Sequence, residues 1–236
     1  MMVGALWVLL APLAWGSGQE LAPKEPETNG VVILDGKAVH VFWDDGDTFR
    51  APSIELKARL VGYNTLESYG AVHRFGPGEA ALLEMAHEAT KMATSQKWEC
   101  RVLDGEGGYG RRSVDCPQLK QSLLRAGLAH PFSVNGPAPA GDLKDQALAI
   151  ESRQGMWASG PQSTILTSVH SMSEKKGKPE IESTYNRVLN VETGEAAPQS
   201  HSETYDTCAW VCHKDSCLLY VPYTQRYGEK KASCLR

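Results

Sequence analysis

The chain has no surplus of positive charge: its 236 residues carry 24 Lys and Arg against 28 Asp and Glu, a formal net charge of −4. A protein that coats nucleic-acid backbones by releasing counterions relies on many cations, so that mode of binding is excluded and any phosphate chemistry must come from a small, local site. No internal period is present and the 22 Gly and 13 Pro are scattered, which excludes repeat arrays and collagen-like chains. The apolar run from Val3 to Trp15, broken by Gly4 and Pro12, falls short of the roughly 20 residues that span a bilayer, so no stable membrane insertion is expected. The seven His form no HExxH or other metal pattern and are given no role.

Hydrophobic residues at 42 % and charged residues at 22 % are globular values, and the length suits one well-buried domain with an appendage or two small domains. Residues 1–18 read as a signal peptide. Met1 to Trp15 is uncharged and small residues follow at Gly16, Ser17 and Gly18, although the usual basic start is missing and the first Lys is Lys24. A secreted or periplasmic protein follows from that reading, and the six cysteines agree with export. Cys100 and Cys116 stand apart from Cys208, Cys212, Cys217 and Cys234, which crowd the segment 208–236. The spacing of that crowd, near His213, is also open to zinc ligation; the export signal favours disulfides.

Residues 19–30 read as a polar linker. Strand-like runs follow at Val31 to Leu34, Ala38 to Trp43, Thr48 to Ala51 and Ile54 to Val61. The last alternates, with Ile54, Leu56, Ala58 and Leu60 on one face and Arg59 on the other. Gly78 to Ser95 reads as an amphipathic helix with Leu82, Leu83, Ala86 and Ala89 inward, and shorter helices are expected at Leu119 to Ala126 and Asp142 to Gln154. Lys97 to Leu103 and Arg111 to Cys116 form a hairpin about a loop centred near Gly108, which places Cys100 opposite Cys116. Trp98 and Trp157 read as core. Residues 31–159 thus make an α+β domain on a small barrel, 160–207 a polar linker, and 208–236 a disulfide-rich appendage.

Chemistry enters with a constellation: Asp45-Gly46-Asp47-Thr48, then Arg59, then Asn64-Thr65-Leu66-Glu67, then Tyr109-Gly110-Arg111. Oxygen ligands for a hard cation, arginine forks for phosphate oxygens and a carboxylate to take a proton from water are the parts of metal-assisted phosphodiester cleavage. The ordered pieces DGDTF, ELKARLVGYNTLES, FGPGEAA, YGRR, LLRAGLAH and ESRQGMW resemble the staphylococcal nuclease (thermonuclease) family over roughly residues 30–158.

The resemblance implies a five-stranded OB-fold β-barrel with three helices and a Ca²⁺-dependent hydrolysis of single-stranded DNA or RNA that leaves a 3′-phosphate. It places Asp47 and the Thr65 backbone carbonyl on calcium with Asp45 behind them. Glu67 falls on the general base, and Arg59 and Arg111 on the phosphate. Two positions depart from the family: Asn64 stands where it has a second calcium-binding aspartate, and Leu66 where it has proline. The alternative is a catalytically silent OB-fold module that binds a polyanion or a protein, with the C-terminal segment as the contact to a protein or surface partner.

Overall fold

Val32, Val41, Phe49, Ala58, Leu60 and Val114 share one buried apolar cluster although they come from five strands, and burying that shared face closes the sheet on itself. The structure, a computed structural model, describes residues 27–175, 177 and 180–236; the apolar run at 1–18 and the linker as far as residue 26 lie outside them. The strands and helices are, in order, β1 (Gly30–Leu34), β2 (Lys37–Trp43), β3 (Thr48–Ala51), β4 (Leu56–Leu60), β5 (Tyr63–Thr65), β6 (His73–Arg74) and α1 (Glu79–Thr94). Next come β7 (Trp98–Gly107), β8 (Arg111–Asp115), α2 (Pro117–Arg125), β9 (Ala129–Pro131) and α3 (Ala140–Glu151). The remainder are β10 (Thr164–Ser168), β11 (Thr184–Asn190), β12 (Ala196–His201), β13 (Ala209–His213) and β14 (Ser216–Tyr220).

The barrel runs β1-β2-β3-β4-β8-β7 and is closed by a parallel β1–β7 pair; β4 and β8 are also parallel and the other pairs antiparallel. It therefore has six strands where the resemblance implies five, because a turn at Asp35 and Gly36, both at positive φ, divides the first stretch into a hairpin. Ile54, expected to point inward, is 51 % exposed: it ends a 3₁₀ turn before left-handed Glu55, and the strand begins only at Leu56. On α1 the buried positions are Leu82, Ala86, Ala89 and Ala93, while Leu83 is half-buried. Trp98 and Trp157 are buried, as core residues should be.

Cys100 and Cys116 form a disulfide, in register with the neighbouring pair Arg101 and Asp115 across β7 and β8. Cys208 bonds Cys234 and Cys212 bonds Cys217, so no thiol remains for zinc, and three disulfides suggest an oxidising compartment. Among the described residues no helix is long and apolar enough to cross a membrane.

The stretch 160–207 is not a linker. It forms an antiparallel sheet, β10-β11-β12, whose few aliphatic residues are concentrated at buried positions. Ile165, Leu189, Val191 and Ala196 pack with Leu66, Leu82, Met156 and Trp157, and composition averaged over the stretch conceals that placement. Nor is the segment after 207 a separate knot: β14 pairs with both β13 and β6, and Leu218 to Val221 join Tyr69, Val72, Leu166 and Val188 in one cluster.

Gly127 and Gly155 cross where α2 and α3 end. Both have positive φ, the Met156 N–H donates to the Gly127 C=O at 2.9 Å, and a Cβ on Gly127 would run into the backbone of Gln154, as one on Gly155 would into that of Gly127. Gly127→Ala is therefore expected to cost at least about 1–3 kcal/mol, the usual size of such backbone strain. Urea denaturation reads this as a lower midpoint; an unchanged midpoint would mean that the crossing opens freely.

Candidate active site

The turn between β2 and β3 carries Asp45 and Asp47, β4 carries Arg59, β5 carries Asn64 and Thr65, the following loop carries Glu67, and Arg111 opens β8. The turn is set by its own polar groups: the Asp44 N–H donates to the Thr48 C=O at 2.9 Å, and Asp45 Oδ1 accepts from the Asp47 N–H at 3.0 Å. Gly46 lies so close to α1 that a Cβ would meet the Cβ of Ala89 at 2.8 Å, and the Tyr63 hydroxyl donates to the Gly46 C=O at 2.8 Å.

Asp47 is 1 % exposed and its carboxylate is surrounded by donors. Oδ2 accepts from the Thr65 N–H at 2.8 Å and the Thr65 hydroxyl at 3.0 Å; Oδ1 accepts from the Thr48 hydroxyl at 3.0 Å and pairs with Arg59 Nη1. The other arm of the Arg59 fork, Nη2, donates to Asn64 Oδ1. Thr65 thus meets Asp47 through its N–H and hydroxyl, while its carbonyl accepts from Asn64 Nδ2 at 3.1 Å. Burial works against the charge on Arg59, yet Asp47, Asp45 and Glu67 outweigh it and hold its pKa above the ordinary value. Burial, reinforced by the Asp47 charge, pushes the Asp45 carboxyl well above the usual range.

The Asp45, Asp47 and Asn64 side chains and the Thr65 carbonyl make an oxygen-only set, the ligand type that suits calcium. Asp47 Oδ1 and Asn64 Oδ1 already converge on one positive group, the Arg59 guanidinium. The residues fit a hard cation in chemistry, and a calcium ion there would compete with Arg59 for both oxygens. Among the described residues no three or more His, Cys, Asp or Glu gather as a metal cluster, which leaves this mixed set of acid, amide and carbonyl as the candidate.

Glu67 is half-buried, and its carboxylate makes no hydrogen bond or ion pair among the described residues. Burial raises its pKa; Arg226 opposes that rise most, Asp47 adds to it, and Arg59 and Arg111 oppose it further. The acids and arginines singled out in the sequence therefore act on one carboxylate, and a further arginine from beyond β14 joins them. Arg111 lies near the ring of Tyr109, which is 87 % exposed, its guanidinium carbon 5.8 Å from the ring centre.

The proline missing before Glu67 has two substitutes. Leu66 is 1 % exposed among Phe75, Leu82 and Trp157, so packing fixes it where a proline ring would restrict φ. The Glu67 N–H donates to His73 Nε2 at 3.0 Å, which fastens the loop to β6. Burial, with the charge of His130, pushes the His73 pKa down to about 3, so the ring is neutral and Nε2 keeps its lone pair. The sequence reading gave His73 and Arg226 no role. The aromatic and basic run Tyr223 to Tyr227 was the visible signal for the second, but nothing local links it to Glu67.

A cleft of about 440 Å³ bordered by α3, Pro161 and Asn190 lies away from all these charges, so hollowness is a poorer guide here than electrostatics. No protein-family model and no curated protein matches the chain.

Proposed function

We propose that the chain is an exported phosphodiesterase of the staphylococcal nuclease type, built on an OB-fold barrel and hydrolysing single-stranded DNA or RNA with Ca²⁺. The observation that carries this reading is the convergence of Arg59, Arg111 and Arg226, with the Asp45–Asp47 turn, on one half-buried glutamate whose carboxylate is otherwise unengaged. A carboxylate with a raised pKa is a stronger base near neutrality than an ordinary one. Glu67 takes a proton from water as the water oxygen bonds to phosphorus. The bond to the 5′ oxygen breaks, that oxygen takes up a proton from solvent, and a 3′-phosphate remains. Arginine forks hold the non-bridging oxygens as their charge grows. Calcium, held by Asp47, Asn64 and the Thr65 carbonyl with Asp45 behind, would supply further positive charge to the phosphate.

A second reading, the silent module that binds a polyanion or protein, is favoured by the Arg59–Asp47 pair, which neutralises a charge that a phosphate would need. Mature protein incubated with denatured DNA, with calcium or with chelator, separates the two. Cleavage that stops in chelator supports the phosphodiesterase, and binding without cleavage in calcium supports the module.

A further inference from the structure

The residues that follow β14 bring two tyrosine rings and an arginine against a third tyrosine on the Glu67 loop. Tyr69, two positions beyond Glu67, is 6 % exposed and forms the base of the group. The Arg226 guanidinium carbon lies 4.7 Å from the Tyr69 ring centre, a cation–π distance. Tyr227 stands edge-on to Tyr69 at 6.0 Å, and Tyr223 edge-on to Tyr227 at 6.3 Å. Burial declines along this series, for Tyr227 is 59 % and Tyr223 75 % exposed.

The group is held in place. Arg226 Nε donates to the Val221 C=O at 3.0 Å, and the Ala232 N–H donates to the Gln225 C=O at 2.9 Å. The Cys208–Cys234 bond brackets the segment, and Leu235 packs so close to Gly70 that a Cβ there would collide with it. Both Nη groups of Arg226 are without a hydrogen bond or ion pair among the described residues. Exposed rings beside a guanidinium whose two Nη groups have no hydrogen-bond partner among the described residues offer a flat apolar face and an anion fork side by side. That combination matches one unit of a single-stranded polynucleotide, a base next to its phosphate. Arg226 is also the foremost positive charge acting on Glu67, which puts the group next to the reacting phosphate of the proposed reaction.

We propose that Tyr227 and Tyr223 are a stacking platform for a nucleobase of a single-stranded polynucleotide and that Arg226 holds the adjoining phosphate, a subsite supplied by the C-terminal segment. The proposal rests on the phosphodiesterase reading for its ligand, but not on turnover. It is tested by fluorescence anisotropy of labelled oligothymidylate, oligouridylate and an abasic oligomer of equal length, in chelator.

Tyr227→Ala and Tyr223→Ala should each weaken binding of both base-bearing oligomers by about fivefold or more, and Tyr227→Phe should bind like the wild type. The unaltered protein should bind the abasic oligomer as weakly as Tyr227→Ala binds oligothymidylate, a comparison that needs no altered fold. Equal binding of the abasic and base-bearing oligomers overturns the platform, as does a loss confined to the RNA oligomer or no binding at all. Cleavage in calcium with binding unchanged in Tyr227→Ala removes the platform and leaves the enzyme. Base-dependent binding without cleavage removes the enzyme and leaves the platform.

Discussion

Glu67→Gln is expected to lower turnover on single-stranded DNA by about a hundredfold or more, the usual contribution of a general base, without loss of stability at neutral pH. The amide keeps the size of the side chain but cannot take a proton. Its neutrality helps the fold, because the folded protein holds the Glu67 proton more tightly than the unfolded chain does. Wild-type stability therefore falls as pH rises from the ordinary glutamate value of 4.5 through the raised folded value, and the full penalty is present above both. The glutamine variant should escape that fall. The wild-type rate should climb with pH through the same raised value, since only the ionised carboxylate acts as base. Steady-state rates against pH, with urea midpoints of both proteins, decide it; wild-type turnover in the variant would remove Glu67 from the mechanism.

Asp47→Ala should be the most damaging single change to stability at the site. It would leave the Arg59 guanidinium, whose side chain is 28 % exposed, without its carboxylate. It would also strand the Thr65 N–H and the hydroxyls of Thr48 and Thr65. Breaking a buried ion pair from one side costs about 3–5 kcal/mol, and the partial exposure of Arg59 puts the expectation near about 3 kcal/mol. Asp47→Asn keeps an acceptor for the threonine donors and should lose less. Equilibrium urea unfolding gives both values, and a loss below about 1 kcal/mol for the alanine variant would mean that Arg59 finds water or another acid instead.

The barrel and its acidic turn were legible because their signals are local. Alternation from Leu56 to Leu60 sets Arg59 against the aliphatic face, and the hairpin register that pairs Arg101 with Asp115 brings Cys100 to Cys116. The sheet β10-β11-β12 was not legible, because its polar outer positions dominate the composition while its buried residues fill a gap beside α1 that only the folded chain defines. Arg226 was missed for a related reason. It reaches Glu67 through pairing of β14 with β6, and two residues, His73 and Arg74, are too few to read as a strand. At Leu66 the sequence shows the missing proline ring but not the packing that replaces it.

The pairing of β14 with β6 also makes the barrel and the charged site depend on different lengths of chain. The strands that close the barrel all lie between Gly30 and Asp115, so that chain can meet its own partners soon after it is made. The loop with Glu67 cannot acquire its flanking strand until residues 216–220 have followed, and Arg226 arrives later still. Their segment is then fastened by a bond between Cys208 and Cys234, which forms only where oxidant is available. Barrel closure thus draws only on residues 30–115, whereas completion of the charged site draws on residues 216–226 as well.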